Sequence, residues 1–179
     1  MTRAPELSLG LFSRPTEAEA RQQSKPAKRR LIAFICATRT PSPSVTDASM
    51  SLPPNWKTDR TTLPKEGETE RPGHQEQGGT ICIHSLVVAK EFQKMGLGSI
   101  LLKSYIQRIK DSKIADRLAL LSHDPLVRLY TSHGFENMGP SSATFGGGGW
   151  NNLVRCLSCM LSTSSNGIQI LEFTGEDED

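Results

Sequence analysis

Two glycines, Gly96 and Gly98, separate a β-branched apolar run from an amphipathic segment. The run, residues 81–88, is rich in Val and Ile and predicts a strand. The segment after the glycines repeats apolar residues at helical spacing and predicts a helix over residues 98–110. The first N–H groups of a helix have no intrahelical acceptor, and glycine lets an anion approach them closely. The spacing therefore predicts a phosphate-binding turn; the alternative is a helix start that only tolerates two glycines.

The residues around this turn fit an anionic ligand. Gln93 and Ser99 add hydrogen-bond donors, and Lys94 adds a positive charge. The helix that follows has one predicted apolar stripe, which would hold it against a sheet. The members of that stripe are Ile100, Leu101, Leu102, Tyr105, Ile106 and Ile109.

A second informative segment, residues 118–139, predicts a short strand, a break at Asp124-Pro125 and a helix. The helix ends in the sequence YTSHGF, residues 130–135. Together with QKMGLG at residues 93–98, this arrangement resembles the GCN5-related N-acetyltransferase (GNAT) superfamily. In that superfamily Q/R-x-x-G-x-G/A follows a strand, and a Y-x-x-x-G-F element lies further along the chain.

Further segments narrow the resemblance to the arylalkylamine (serotonin) N-acetyltransferases and their fungal polyamine-type relatives. The segments are PELSLGLF (5–12), RLIAFICA (30–37), IHSLVV (83–88) and GFENMGP (134–140). The resemblance implies an α/β GNAT fold, a mixed central sheet with flanking helices. In that family a strand and two helices precede the PELSLG segment, so we expect the first strand and helices to be missing from this chain.

The resemblance also implies an activity, the acetyl-CoA-dependent transfer of acetyl to a primary amine by direct attack. The amine is expected to be an arylalkylamine or a polyamine. The pantetheine arm is expected along residues 85–88 and the pyrophosphate on the glycine turn. The residues expected to bind the coenzyme are Leu86, Val87, Val88, Gln93, Lys94, Met95, Gly96, Leu97, Gly98 and Ser99.

Two catalytic residues are implied by position. Tyr130 matches the family tyrosine near the coenzyme sulfur, where its phenol can donate a proton; the alternative is a core aromatic residue. His84 matches the second histidine of the animal enzymes' H-x-H pair, and a neutral imidazole can accept a proton from an ammonium; the alternative is a structural strand histidine. Cys82 stands at the first histidine position, and a neutral thiol is a poor proton carrier.

The other histidines have weaker assignments. His123 lies where GNAT proteins often have a polar residue near the coenzyme. His74 and His133 are given no role.

Two other functions compete with an active amine acetyltransferase. An inactive protein that still binds acetyl-CoA is favoured by the expected lack of the first strand and helices and by the presence of Cys82 at a histidine position. A protein N-terminal or lysine acetyltransferase would share the GNAT motif but not the PELSLG and GFENMGP segments.

Composition excludes some classes of partner and location. A net charge of +2 over 179 residues gives no case for a nucleic-acid surface, and the basic cluster at residues 25–30 is local. Neither a membrane-length apolar run nor a secretory signal is recognised, so a cytoplasmic monomer without membrane contact is expected. Four cysteines include one C-x-x-C, at Cys156 and Cys159, without a second pair, so no metal site is expected.

The organisation along the chain is uneven. Residues 1–157 are predicted to form a partial acetyltransferase domain. Residues 40–78 have few apolar side chains, with Trp56 the single large aromatic residue, and are predicted to be a disordered insert. Residues 158–179 form an unassigned tail with an acidic end, predicted to be disordered.

Overall fold

The computed structural model of this chain describes residues 4–14, 21, 29–53 and 71–158. Six strands and three α-helices lie within these residues. They are, in chain order, β1 (Leu9–Phe12), β2 (Leu31–Thr40), α1 (Asp47–Met50), β3 (Thr80–Val88), α2 (Leu97–Ser112), β4 (Arg117–Ser122), α3 (Asp124–Thr131), β5 (Glu136–Pro140) and β6 (Asn151–Cys156). Short 3₁₀ turns occur at Pro5–Leu7, Lys90–Phe92 and Phe145–Gly147.

The strands form one mixed sheet in the order β1-β2-β3-β4-β6-β5. β3 and β4 are parallel, and the other neighbouring pairs are antiparallel. Parallel neighbours need a long connection, and the helix α2 supplies it between β3 and β4. The predicted α/β fold with a mixed central sheet is confirmed.

The sheet divides its apolar side chains between two faces. Ile81 and Ile83 join the larger cluster, which includes the buried face of α2 and Tyr130. Cys82 lies on the other face in a smaller cluster with Val45 and Ala119. This division follows from the two-residue period of a strand.

The apolar stripe predicted for α2 is confirmed except for one member. Its buried residues are Leu101, Leu102, Tyr105, Ile106 and Ile109. Ile100 is 55% exposed, so its predicted place in the stripe is wrong. The buried residues occupy one side of the helix at three- and four-residue spacing, and residue 100 falls outside that phase.

Part of the segment predicted to be a disordered insert has regular structure. The helix α1 begins with a capping box, in which Thr46 and Ser49 bond each other's main-chain N–H groups. Farther along, Arg39 Nε donates to the Gly78 carbonyl at 2.9 Å. The Arg39 bond attaches residues 71–79 to the sheet, and the Thr38 hydroxyl of β2, which donates to the Ser49 carbonyl at 3.3 Å, attaches α1. The predictions for residues 54–70, Trp56 among them, and for residues 159–179 lie outside the described part of the chain.

Within the described residues, no helix combines the length and apolar character that crossing a membrane requires.

Candidate functional site

The sheet opens between its two parallel strands. β3 and β4 pair from Thr80 and Arg117 to Ile83 and Leu120, and their pairing ends there. β3 continues for five residues alongside β2, and β4 continues alongside β6. In the described residues the β4-facing edge of residues 84–88 therefore has no strand partner. An extended ligand can add to such an edge through main-chain hydrogen bonds.

The side chains of this open edge alternate between the two faces. Leu86 and Val88 pack against the larger apolar cluster. Val87 is 44% exposed on the opposite face. These three residues were predicted to bind the coenzyme, and they lie on the stretch of β3 that has no strand partner on its β4 side; the main-chain groups of residues 86 and 88 face that open edge, while those of Val87 face β2.

The chain turns from the open edge into α2 through residues 89–96. The Gln93 side-chain amide donates to the Val88 carbonyl at 3.0 Å, which fixes the turn to the end of β3. Lys94 and Gly96 both have left-handed backbone conformations, with φ of 62° and 77°. Lys94 and Met95 are exposed.

The N-terminus of α2 has no side-chain cap. Its first intrahelical bond runs from the Ile100 N–H to the Gly96 carbonyl at 3.1 Å. The N–H groups of residues 97–99 precede that bond and are the donors that a helix leaves without an intrahelical acceptor.

Both glycines keep the approach to these donors open. A Cβ atom built on Gly96 meets no heavy atom within 4 Å, and one built on Gly98 comes only to 3.6 Å from Val88 Cγ2. A side chain at either position would occupy the space beside the N–H groups. The uncapped terminus and this space fit the diphosphate of a coenzyme.

Ser99 was predicted to donate its hydroxyl to the ligand, but the structure gives that hydroxyl another partner. Ser99 Oγ lies 2.7 Å from His133 Nε2. His133, to which the sequence assigned no role, therefore contacts the glycine turn. No local pattern could have revealed this pair, because its members are 34 residues apart.

The predicted base, His84, lies where β3 and β4 separate. Its Nε2 is 2.8 Å from Thr38 Oγ1, which also lies 3.3 Å from the Ser49 carbonyl. Burial lowers the pKa of His84 below its usual 6.5, and hydrogen bonding to the Ser49 main chain opposes that shift in part. The ring is therefore neutral at pH 7 and able to accept a proton.

Cys82 lies on the same face of β3 as His84, as the strand period requires. It is fully buried in the smaller apolar cluster with Val45 and Ala119. A thiol in these surroundings is shielded from any substrate. The two-histidine arrangement of the H-x-H pair is therefore absent at these two positions.

The predicted acid, Tyr130, lies near the end of α3. The residue is 8% exposed, and its ring packs edge-on to Phe135 with ring centroids 5.9 Å apart. Burial raises the pKa of Tyr130, so the phenol keeps its proton at neutral pH. Within the described residues no hydrogen bond joins Tyr130 to His84, and none is seen for the Tyr130 hydroxyl.

Position 134, the glycine of YTSHGF, requires glycine for a steric reason. Gly134 has a φ of 78°, which favours glycine, and a Cβ built there would collide with the Arg155 guanidinium. The turn it makes allows the Phe135 N–H to donate to the Tyr130 carbonyl at 3.2 Å. Gly134 thereby places Phe135 against Tyr130.

The glycine-rich loop before β6 packs on the start of α3. His123 stacks on Trp150 with ring centroids 3.8 Å apart. The Asn151 side chain donates to Asp124 Oδ1 at 2.7 Å. Across the described residues, no three His, Cys, Asp or Glu side chains are grouped as metal ligands would be.

Comparison with known proteins agrees with this arrangement. Residues 66–146 match the family model described as an acetyltransferase (GNAT) domain. The serotonin N-acetyltransferase of Mesocricetus auratus is 29% identical over 159 residues, which are 89% of this chain and 60% of that protein. The serotonin N-acetyltransferase of Macaca mulatta is 31% identical over 147 residues, which are 82% of this chain and 54% of that protein. The chain thus spans little more than half the length of these relatives.

The fold is also found among solved structures. The GphF GNAT-like decarboxylase in complex with isobutyryl-CoA matches with a TM-score of 0.50 and 14% identity, over 71% of this chain and 73% of that chain. At this identity the match concerns the fold alone. The chain is thus similar over residues 66–146 to the GNAT acetyltransferase domain, and over most of its length to the serotonin N-acetyltransferases.

Proposed function

We propose that this chain binds acetyl-CoA and transfers its acetyl group to a primary amine by direct attack. The observation that carries this proposal is the uncapped N-terminus of α2, opened by Gly96 and Gly98 beside the gap between β3 and β4. The match to the GNAT family model supports the reaction class.

Binding would use main-chain groups more than side chains. The N–H groups of residues 97–99 suit the diphosphate, and the exposed Lys94 adds a positive charge nearby. The open edge of residues 84–88 offers hydrogen bonds to an extended pantetheine arm. Gln93 holds the turn in place through the bond that its side-chain amide donates to the Val88 carbonyl.

Two side chains would hold and move protons. Acetyl-CoA supplies the acetyl group as a thioester. The neutral imidazole of His84 accepts a proton from the amine, directly or through water. The hydroxyl of Tyr130 holds a proton at neutral pH, as a proton donor must: a phenol has an ordinary pKa of 10.0, and burial raises the pKa of Tyr130 further.

The amine class follows from the relatives. Both are named serotonin N-acetyltransferases, and serotonin is an arylalkylamine, so an arylalkylamine is the first substrate to test. A polyamine is the second, on the resemblance to the fungal relatives.

Substitution of Gly98 by alanine tests the proposal. The new Cβ makes only an ordinary contact with Val88, and alanine is the better helix former, so the free energy of unfolding should not fall. The same Cβ enters the space beside the N–H groups of α2. We expect the affinity for acetyl-CoA, measured by calorimetry, to fall roughly tenfold, or about 1.4 kcal/mol.

The matched control is Ser104→Ala, an exposed position farther along the same helix. It should leave both affinity and stability unchanged. An affinity unaffected by Gly98→Ala would contradict the placement of the coenzyme on this turn.

A second candidate function is acetyl-CoA binding without catalysis, and the burial of Cys82 favours it. Position 82, where the animal enzymes have the first histidine of the H-x-H pair, is a cysteine, so no histidine there can take the proton on from His84. The Cys82 thiol is also buried away from a substrate. Thiol release with a panel of arylalkylamines and polyamines separates the two candidates. Coenzyme binding with no release from any amine would favour the binding function.

A further inference from the structure

The hydroxyl of Thr38 lies between His84 and the main chain of α1. Thr38 is on β2, 46 residues before His84, and its Oγ1 is 2.8 Å from His84 Nε2. The same oxygen donates to the Ser49 carbonyl at 3.3 Å. The three groups form a chain of hydrogen bonds in which the carbonyl can only accept, whereas an imidazole nitrogen can donate or accept.

The direction of the bond to His84 follows from the number of hydrogens. A hydroxyl has one hydrogen and two lone pairs. Since the Ser49 carbonyl takes the single hydrogen of Thr38, Thr38 Oγ1 accepts from His84 Nε2. The neutral ring then carries its hydrogen on Nε2 and its lone pair on Nδ1.

The carbonyl at the far end of this chain is fixed independently of His84. Ser49 is fully buried, and its N–H donates to Thr46 Oγ1 at 3.1 Å within the capping box of α1. At the start of the same helix, Asp47 accepts from the Thr144 and Phe145 N–H groups. The Ser49 carbonyl is therefore an acceptor already in place, and it orients the Thr38 hydroxyl.

The electrostatics of the His84 ring agree with this direction. Burial lowers the pKa of His84, and hydrogen bonding to the Ser49 main chain raises it. In the described part of the chain, no charged side chain is among the causes of the shift. A carbonyl interacts favourably with a ring N–H and not with a ring lone pair, so the hydrogen belongs on the side that faces α1.

We propose that Thr38 is a positioning residue that fixes the tautomer of His84, so that Nδ1 is the atom that accepts the proton of the amine. Protonation at Nδ1 makes the ring an imidazolium, and its Nε2–H bond to Thr38 then becomes a stronger, charge-assisted bond. This inference rests on the proposed function, since it names the proton-accepting atom within the same site.

Nitrogen NMR of the unsubstituted chain, with ¹⁵N-labelled histidine, observes the tautomer directly. The chain has four histidines, and the signals that disappear in His84→Gln belong to His84. Above the pKa of His84 we expect hydrogen on Nε2 and none on Nδ1. A neutral His84 with its hydrogen on Nδ1 would overturn the inference.

Substitution Thr38→Val tests the bond by its effect on the pKa of His84. Valine keeps the branched shape of threonine and removes the hydroxyl. Because an accepting hydroxyl stabilises the charged ring more than the neutral ring, its loss should lower the pKa further, as measured by NMR titration. A hydroxyl that donated to Nε2 would stabilise the neutral ring, so a raised or unchanged pKa in Thr38→Val would contradict the proposal.

Thr38→Ser is the matched control, because it keeps the hydroxyl and should keep both the tautomer and the pKa. In the transfer reaction we expect Thr38→Val to lower kcat roughly tenfold, with the KM for acetyl-CoA unchanged, and Thr38→Ser to retain most of the activity. Urea unfolding of both variants measures any general change in stability. Equal losses of kcat in the two variants would show that the hydroxyl does not position the base.

The outcomes separate this inference from the function beneath it. If the unsubstituted chain transfers acetyl to no amine, the proposed function and this inference both fail. If transfer occurs but His84 has the other tautomer, or its pKa does not fall in Thr38→Val, the positioning role of Thr38 alone is overturned.

Discussion

Burial determines the protonation state of His84. Desolvation disfavours the charged imidazole, and the bond network with Thr38 and Ser49 holds the ring against the sheet. Burial thus favours the neutral ring, which the proposed role of proton acceptor requires. The proposed role of His84 as a base is therefore tested through the pH dependence of activity and of stability.

The pH profile of acetyl transfer gives the first residue-level prediction. Since the pKa of His84 lies below 6.5, kcat/KM should stay level above pH 6.5. It should fall as the pH drops through the lowered pKa of His84, because the protonated ring cannot accept a proton. His84→Gln should lower kcat roughly 100-fold and remove this acid limb. An acid limb that persists unchanged in His84→Gln would assign the base to another residue.

Stability supplies an independent check on the same pKa. The unfolded chain binds a proton at this residue near pH 6.5, whereas the folded chain resists it. Neutral His84 therefore makes its full contribution to the free energy of unfolding above pH 6.5. This contribution is lost as the pH falls through the pKa of His84 in the folded chain. His84→Gln should flatten the pH dependence of the free energy of unfolding in that range.

At the scale of secondary structure, a carboxylate joins α1 to the glycine-rich loop. The two Asp47 oxygens accept bonds from the Thr144 and Phe145 N–H groups, at 2.7–3.1 Å, and from the Thr144 hydroxyl. A four-residue helix is marginal by itself. This attachment and the capping box explain why α1 forms in a polar segment.

Acid should loosen this attachment. The Thr144 main-chain and hydroxyl bonds and the Phe145 bond lower the pKa of Asp47 below 3.8. A carboxyl with a lowered pKa contributes stability that is present above its unfolded pKa and lost as the pH falls through its folded pKa. Asp47→Asn should therefore lower stability at pH 7 and reduce the loss seen below pH 4, as measured by urea unfolding across pH.

The control for this prediction is Asp111→Asn, an exposed carboxyl on α2 that accepts a bond from Gln107. It should lower the free energy of unfolding at pH 7 less than Asp47→Asn does. An Asp47→Asn profile that runs parallel to the unsubstituted chain would contradict the stabilising role of this carboxylate.

At the scale of the whole molecule, one buried hydrogen bond connects distant parts of the chain. The Tyr105 hydroxyl on α2 donates to the Leu7 carbonyl at 2.9 Å, and both residues are fully buried. Burial raises the pKa of Tyr105, which keeps the phenol protonated as this donor role requires. The bond fixes the segment before β1 beneath the helix that begins at the glycine turn.

Removal of this hydroxyl should destabilise the molecule. Tyr105→Phe leaves the buried Leu7 carbonyl without its partner, which costs about 1–3 kcal/mol. Tyr130→Phe is the matched control, because no hydrogen bond of that hydroxyl is seen in the described part of the chain. Equal losses for the two variants in urea unfolding would show that the Tyr105 bond contributes little.

Much of the fold could be predicted from sequence because its signals are local. The β-branched run of β3, the stripe of α2 and the glycines between them each lie within a few residues. The exposed side of Ile100 and the four-residue α1 were not predicted. Periodicity alone does not fix the exact boundary of a buried stripe, and α1 depends on a loop 97 residues away.

The sequence by itself determined the glycine turn at the start of α2 and the strand and helix that flank it, because backbone freedom and side-chain period are local properties. Only the tertiary structure decided which partners the functional side chains have. Ser99 meets His133 across 34 residues, and His84 meets Thr38 across 46. Such pairs arise when separate elements pack together, and no pattern within either element specifies them.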